Sequence, residues 1–180
     1  MRSRQAARPK TDGHGTGWII TVPSMSLVRR AVPGDAGEVL RLRQVMIDAM
    51  AAAPGDTGWH AGSLPELRAR LAEPDGDFAA FVVDHPDRPG ALAALVAGTL
   101  EYRIGRAGNP RGLIGYVFSV ATDQDARRRG YARACVAELL EWFRERGAGH
   151  VMLTSTAEAE PLYASLGFTR DTDPSMRLYL

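Results

Sequence analysis

The segment that most constrains this chain runs from Leu113 to Arg146. An apolar run closes at Val120-Ala121, a polar loop follows, and Arg127-Arg128-Arg129-Gly130 opens a long amphipathic stretch. Ala132, Val136, Leu139, Leu140 and Phe143 recur at helical spacing, with Arg133, Glu141, Arg144 and Glu145 on the other side, which predicts a helix over 127–146. Gly147 and Gly149 end it. A strand feeding a one-sided helix must bury both against a shared core, so a sheet with a helix packed on it is built in. The start of that helix is chemically unusual. Its first N–H groups have no intrahelical partner and carry partial positive charge. Each arginine placed there is unfavourable by about 0.3–1 kcal/mol unless an anion offsets it. Gly130 admits a bulky anion to the backbone, Ala132 is too small to shield it, and the guanidinium groups add bidentate donors. The construction suits a pyrophosphate. A solvated arginine run is the plain alternative. A Walker loop is excluded, because no Gly-Lys-Ser/Thr follows.

The rest of the chain supplies the elements such a core requires. Residues 1–24 are rich in Arg, Gly, Thr and Pro and read as a mobile tail, in which 18–22 could add a short edge strand. Met25 is a candidate start, since strand-like Ser26 to Ala31 follows at once. Asp35 and Glu38 stand at capping-box spacing, and Val39, Leu42, Met46, Ala49 and Ala53 form a helical stripe stopped by Pro54-Gly55. A second helix is expected from a capping box at Ser63-Leu-Pro-Glu66, carrying Leu64, Leu67 and Leu71. The polar stretch Gly55 to His60 between them is a loop of the kind that forms the mouth of a site, where Trp59 and His60 could line an acceptor pocket. Phe78–Val83, Leu92–Tyr102 and Leu113–Ala121 read as an antiparallel meander. His150–Ser155 is a further strand, Ala159–Leu166 a short helix, and Met176–Leu180 a last strand. The expected architecture is one α+β domain over 25–180, with a mixed, mostly antiparallel sheet of six to seven strands and about four helices.

Composition narrows the function. The 180 residues are 45% hydrophobic and 24% charged, with a formal net charge of +1, so no whole-protein field draws the chain to nucleic acid or membrane. An RNA- or DNA-binding use of the arginine run also lacks interleaved aromatics. No apolar run reaches the roughly 20 residues of a membrane span. A single cysteine, Cys135, lies on the apolar stripe and reads as a small core residue, so a cytoplasmic setting is expected. His60, His85 and His150 are scattered without metal-ligand spacing, and no metal is expected.

Arg127-x-x-Gly130-x-Ala132 resembles the Q/R-x-x-G-x-G/A motif of the GNAT superfamily of N-acetyltransferases, placed after a strand and at the head of a long helix. Downstream, Pro161-Leu-Tyr163-Ala-Ser-Leu-Gly167-Phe168 is similar to that family's LYxxLGF helix end, and the resemblance covers about 25–180. It implies acetyl-CoA as acyl donor and direct transfer to a primary amine on a small-molecule or peptide acceptor. It further implies that Phe118, Ser119 and Val120 bond the pantetheine arm through their backbone, facing Val151 to Ser155 across a splay. Arg127, Arg128, Arg129, Gly130, Tyr131, Ala132 and Arg133 would hold the pyrophosphate. Tyr163 matches the family's proton donor to the departing thiolate. Two positions depart from the pattern. The strand over 113–120 holds no carboxylate, so the base is either Glu101 on the preceding strand or a water held by backbone carbonyls. Thr156, beside Ser155, stands where the family often has the asparagine that contacts the arm. A site completed by a second subunit in a homodimer fits the resemblance, as does an acetyl-CoA-binding sensor that no longer transfers acetyl.

Overall fold

In the computed structural model, which describes residues 26–50, 55–172, 176 and 178, a short strand opens the fold and helices flank a central meander. The order is β1 (Arg29–Arg30), α1 (Ala36–Met50), α2 (His60–Leu71), β2 (Phe78–Asp84), β3 (Leu92–Tyr102), β4 (Leu113–Thr122), α3 (Tyr131–Glu145), β5 (Val151–Leu153) and α4 (Glu160–Ala164). The strands lie side by side in chain order; β1 to β4 are antiparallel and β5 runs parallel to β4. The sheet thus has five strands among the described residues, where six to seven were expected. The expected strand over 18–22 and the tail over 1–24 fall outside the described residues, and Met176 and Leu178 are in no strand.

Strand pleat divides the core in two. Leu95 and Ala97 of β3, with Ala80 and Val82 of β2, face Val39 and Leu42 of α1. Val96 of β3 and Val117 of β4 face Val136, Leu139 and Phe143 of α3. Helix α3 can lie close because glycines stand beneath it. A Cβ on Gly98 would come within 2.8 Å of the Phe143 ring, and one on Gly115 within 2.8 Å of the same ring. Trp142 also turns inward, flanked by the guanidinium groups of Arg30 at 5.8 Å and Arg146 at 5.4 Å.

Two helix starts differ from expectation. Asp35 ends a 3-10 turn over Pro33–Asp35, its carboxylate accepting the Val32 N–H at 2.8 Å, while Glu38 accepts the Leu92 N–H at 2.9 Å. The capping acid therefore sits one turn earlier than the spacing implied, and Glu38 ties α1 to β3 instead. Helix α2 starts at His60 rather than at Ser63, whose N–H donates to Trp59 at 3.1 Å, and Pro65 falls inside the helix. Tertiary partners moved both starts by about a turn, as local signals alone allow.

Ion pairs around β1 and the end of β4 carry a pH dependence. Arg29 donates to Asp35 at 2.7 and 2.9 Å, and that bond holds the Asp35 carboxyl below the usual 3.8. Burial works to raise Asp123, yet hydrogen bonds and charge from Arg88 and Arg41 outweigh it and hold it low as well. For both groups the folded state binds protons less readily than the unfolded chain. Their contribution is complete above the unfolded value near 4 and is lost as pH falls through the folded values. Urea midpoints are expected to be flat from about pH 7 to 5 and to drop below about pH 4. A midpoint that rises between pH 4 and 3 refutes this assignment.

Candidate active site

Register across the sheet shows where it parts. β5 follows β4 only through Gly115–Val151, Tyr116–Met152 and Val117–Leu153, whereas β4 continues to Thr122. On its other side β4 stays with β3, but Leu95 pairs with Ala121 and Ala97 with Phe118, so Ser119 and Val120 together face Val96. This is a β-bulge, which bends a strand and sharpens its twist. Ser119 takes φ 54°, an uncommon conformation for a residue with a side chain. The bulge and the parting coincide at Phe118, Ser119 and Val120, the residues named from sequence for the arm.

The end of β4 delivers the chain to the arginine run. Asp123 caps a 3-10 turn over Gln124–Ala126; Arg128 then takes φ 62° and Gly130, the N-cap of α3, φ 78°. Left-handed residues set close together are the backbone pattern that forms anion-binding concavities. No side chain caps the first turn of α3, so the N–H groups of Tyr131, Ala132 and Arg133 belong to the unbonded helix start. Arg127, Arg128, Arg129 and Arg133 are exposed, and none forms an ion pair among the described residues. Helix α3 itself begins at Tyr131, not Arg127; the arginines form the turn before it. The left-handed positions explain the difference, since a helix cannot continue back through them.

Tyr163 stands on α4 in the core cluster that includes Val117, Val120 and Leu153, the residues at the parting. Its ring packs edge-on against Phe168 at 5.9 Å, and burial pushes the phenol pKa up. The hydroxyl has no partner among the described residues and is not sealed from solvent. Glu101 is half-buried near the end of β3, paired in register with Ile114 and bonded by Arg103 at 2.6 Å. It lies roughly 10 Å along the sheet from the start of the parting. Thr156 accepts the Ala159 N–H at 3.3 Å and so shapes the turn into α4. Cys135 is fully buried and burial raises its thiol pKa to about 12, which leaves it inert.

One feature was foreseen only in part and another was missed. A cleft of about 420 Å³ lies between α1 and α2, lined by Arg43, Gln44, Ile47, Asp56, Trp59 and Ser63. Trp59 was singled out; Gln44 was not, although its carbonyl accepts from Trp59 Nε1 at 3.0 Å and contacts His60 Nε2 at 3.3 Å. The second is His85, whose Nε2 lies 3.1 Å from Asp125, with Asp123 close by. Both carboxylates are engaged by Arg88, and Asp123 by Arg41 as well, so this group is an ion-pair network.

These features define a class: an α+β sheet parted on one side, with an uncapped, arginine-rich helix start where the parted strand ends. The chain belongs to the Acetyltransferase (GNAT) family, which matches residues 44–168. A mycothiol acetyltransferase of Mycolicibacterium paratuberculosis is 32% identical over 180 residues, covering 94% of this chain and 52% of that protein. The chain therefore spans about half the length of that relative. Glucosamine 6-phosphate N-acetyltransferase 1 of Oryza sativa subsp. japonica is 34% identical over 119 residues, covering 63% of this chain and 67% of that one. A predicted acetyltransferase of Clostridium acetobutylicum, solved with acetyl-CoA, shares the fold at TM-score 0.70 and 20% identity over 84% of this chain and 94% of that one. No helix among the described residues is long and apolar enough to cross a membrane.

Proposed function

We propose that this protein moves the acetyl group of acetyl-CoA to a primary amine of a small-molecule acceptor. The observation that carries the reading is the early end of β4–β5 pairing at Val117–Leu153, on a strand that leads directly to the Arg127–Gly130 turn. An extended pantetheine arm would lie along Phe118, Ser119 and Val120 like an added strand. The pyrophosphate would rest on the N–H groups and arginines from Arg127 to Arg133.

Transfer is direct. The amine nitrogen attacks the thioester carbonyl, a C–N bond forms, the C–S bond breaks, and the electron pair leaves on sulfur. Tyr163 donates its phenolic proton to that sulfur, and its pKa, raised by burial, keeps the proton available at neutral pH. Before attack the acceptor ammonium gives one proton to water held at the parting, or through water to Glu101. The second N–H proton, lost as the amide forms, returns through water to the Tyr163 phenolate. Thr156 orders the turn that presents Tyr163. The acceptor enters by the α1–α2 cleft, on the sheet face that carries Phe118 and Glu101. Relatives named for mycothiol and for glucosamine 6-phosphate favour a polar small molecule.

Thermal unfolding with acetyl-CoA tests the reading. A ligand bound only by the folded state stabilises it by about 2.7 kcal/mol at a hundredfold excess over its dissociation constant, several degrees for a domain of this size. A Cβ at Gly130 meets nothing within 4 Å, so Gly130→Glu places a carboxylate in open space at the cradle. Gly130→Ala carries the same left-handed backbone strain without the charge. The wild type and Gly130→Ala are expected to shift with acetyl-CoA and Gly130→Glu to lose the shift. A well-folded wild type that does not respond rules the reading out.

A further inference from the structure

Arg43 lines the α1–α2 cleft and is half-buried, one helical turn after the buried Val39. Its guanidinium donates from Nη1 to the Ser119 hydroxyl, on the bulge of β4. No carboxylate pairs with it among the described residues. The other half-buried arginines are matched. Arg29 holds Asp35 and Asp84, and Arg41 holds Glu38 and Asp123. Arg30 and Arg146 donate to backbone carbonyls and stack on Trp142. A guanidinium presents five N–H donors, and withdrawing it partly from water against one neutral hydroxyl leaves most of them unused.

Two of the cleft's other polar groups are engaged from within, while Ser63 offers only a neutral hydroxyl. Gln44 donates to Asp48 at 2.7 Å and accepts from Trp59 at 3.0 Å. Asp56 accepts the Gly58 N–H at 2.9 Å. Arg43 is therefore the cleft's one cation among the described residues, with spare donors, and its bond to Ser119 links the cleft to β4. Ser119 stands two residues beyond Val117, about 7 Å from the start of the parting. A group held by Arg43 would sit within a few bonds of an amine aimed at the thioester.

We propose that Arg43 is an oxyanion subsite, and that the acceptor is an amine carrying a carboxylate or phosphate a few atoms from its nitrogen. This rests on the acetyltransferase reading and sharpens it by naming the acceptor's chemistry. Guanidinium recognises both oxyanions bidentately, so the two sources are separated by experiment. Trp59 gives the acceptor an apolar wall, and Asp56 at the exposed side disfavours a second anion there.

The test uses matched acceptors, each rate expressed per unprotonated amine: O-phosphoethanolamine against ethanolamine, and glycine against glycinamide. Coenzyme A release is followed for wild type, Arg43→Gln and Arg43→Lys, and acetyl-CoA binding is measured separately by thermal shift. Arg43→Gln retains a hydrogen-bonding group for Ser119 while removing the charge. In the wild type, kcat/KM is expected to favour the anionic member of at least one pair by about 10- to 100-fold, the scale of a charge-assisted hydrogen bond. Which pair responds tells phosphate from carboxylate. Arg43→Gln should erase that preference, Arg43→Lys should keep part of it, and neither should alter the acetyl-CoA shift. If acetyl-CoA binds but no anionic acceptor outpaces its neutral partner, the subsite is wrong while the acetyltransferase reading stands. Equal losses on both members of a pair would make Arg43 a contact to the thioester and also overturn the subsite. Absence of the acetyl-CoA shift in wild type overturns the underlying reading instead.

Discussion

Tyr163→Phe is expected to lower turnover by about 100-fold or more while leaving the acetyl-CoA thermal shift unchanged, the scale of a lost general acid. Phenylalanine preserves the ring that packs edge-on against Phe168 and fills the cluster with Val117, Val120 and Leu153, so the fold should not notice the change. Only the hydroxyl is removed. That hydroxyl has no partner among the described residues, so its loss strands no buried donor or acceptor and costs little stability. The leaving thiolate, by contrast, would lose its proposed proton source at the moment the C–S bond breaks. The pH profile supplies a second readout. Burial moves the Tyr163 phenol above its usual 10, so deprotonation of this group should not depress the rate through pH 9. Turnover within twofold of wild type would assign Tyr163 to packing alone. An equal fall in turnover and in acetyl-CoA affinity would place it in the binding surface rather than at the proton.

Most of the architecture was legible because the long elements carry clean periods. The meander was read to within a residue, Leu92–Tyr102 as it stands and Leu113–Ala121 ending one residue short. Turn chemistry explains that success, since glycine-rich links leave little choice of where a strand stops. Short elements were less legible. The start of α2 was misread at Ser63 because a capping box is a local signal, while the real start is fixed by Trp59 and His60 against Gln44 across a helix pair. The left-handed turn ahead of α3 was marked by Arg127-x-x-Gly130-x-Ala132, since a glycine and arginines before a helix are compositional facts, whereas the arginines' lack of ion pairs among the described residues is set by the fold. The cleft carried no such mark. Arg43 and Gln44 sit on a helix whose stripe reads as core, and only the bulge at Ser119 and the packing of α2 turn that face into a cleft. Bulges are set by how neighbouring strands pair, which no single run of residues declares.

The fit of α3 on the sheet yields the largest expected change in stability. Phe143 is fully buried, and its ring occupies the space where Cβ atoms of Gly98 and Gly115 would otherwise stand. Two strands were left without side chains at these positions so that one ring could reach the backbone. The two glycines directly beneath it carry no side chain to fill the void if that ring is removed. Phe143→Ala is therefore expected to cost about 3–5 kcal/mol, the range for a core aromatic, read as a lower urea midpoint with unchanged slope. A cost below about 1 kcal/mol would mean that α3 settles onto the glycines and that the close approach is not maintained by the ring. Ligand makes the prediction sharper. The start of α3 is the proposed pyrophosphate cradle, so bound acetyl-CoA would hold the same helix from its other end. At a hundredfold excess it should return about 2.7 kcal/mol, recovering much of the loss without restoring the wild-type midpoint. If Phe143→Ala instead abolishes the acetyl-CoA shift while the protein stays folded, the ring's role is to aim the cradle, and the packing of α3 is itself part of cofactor binding.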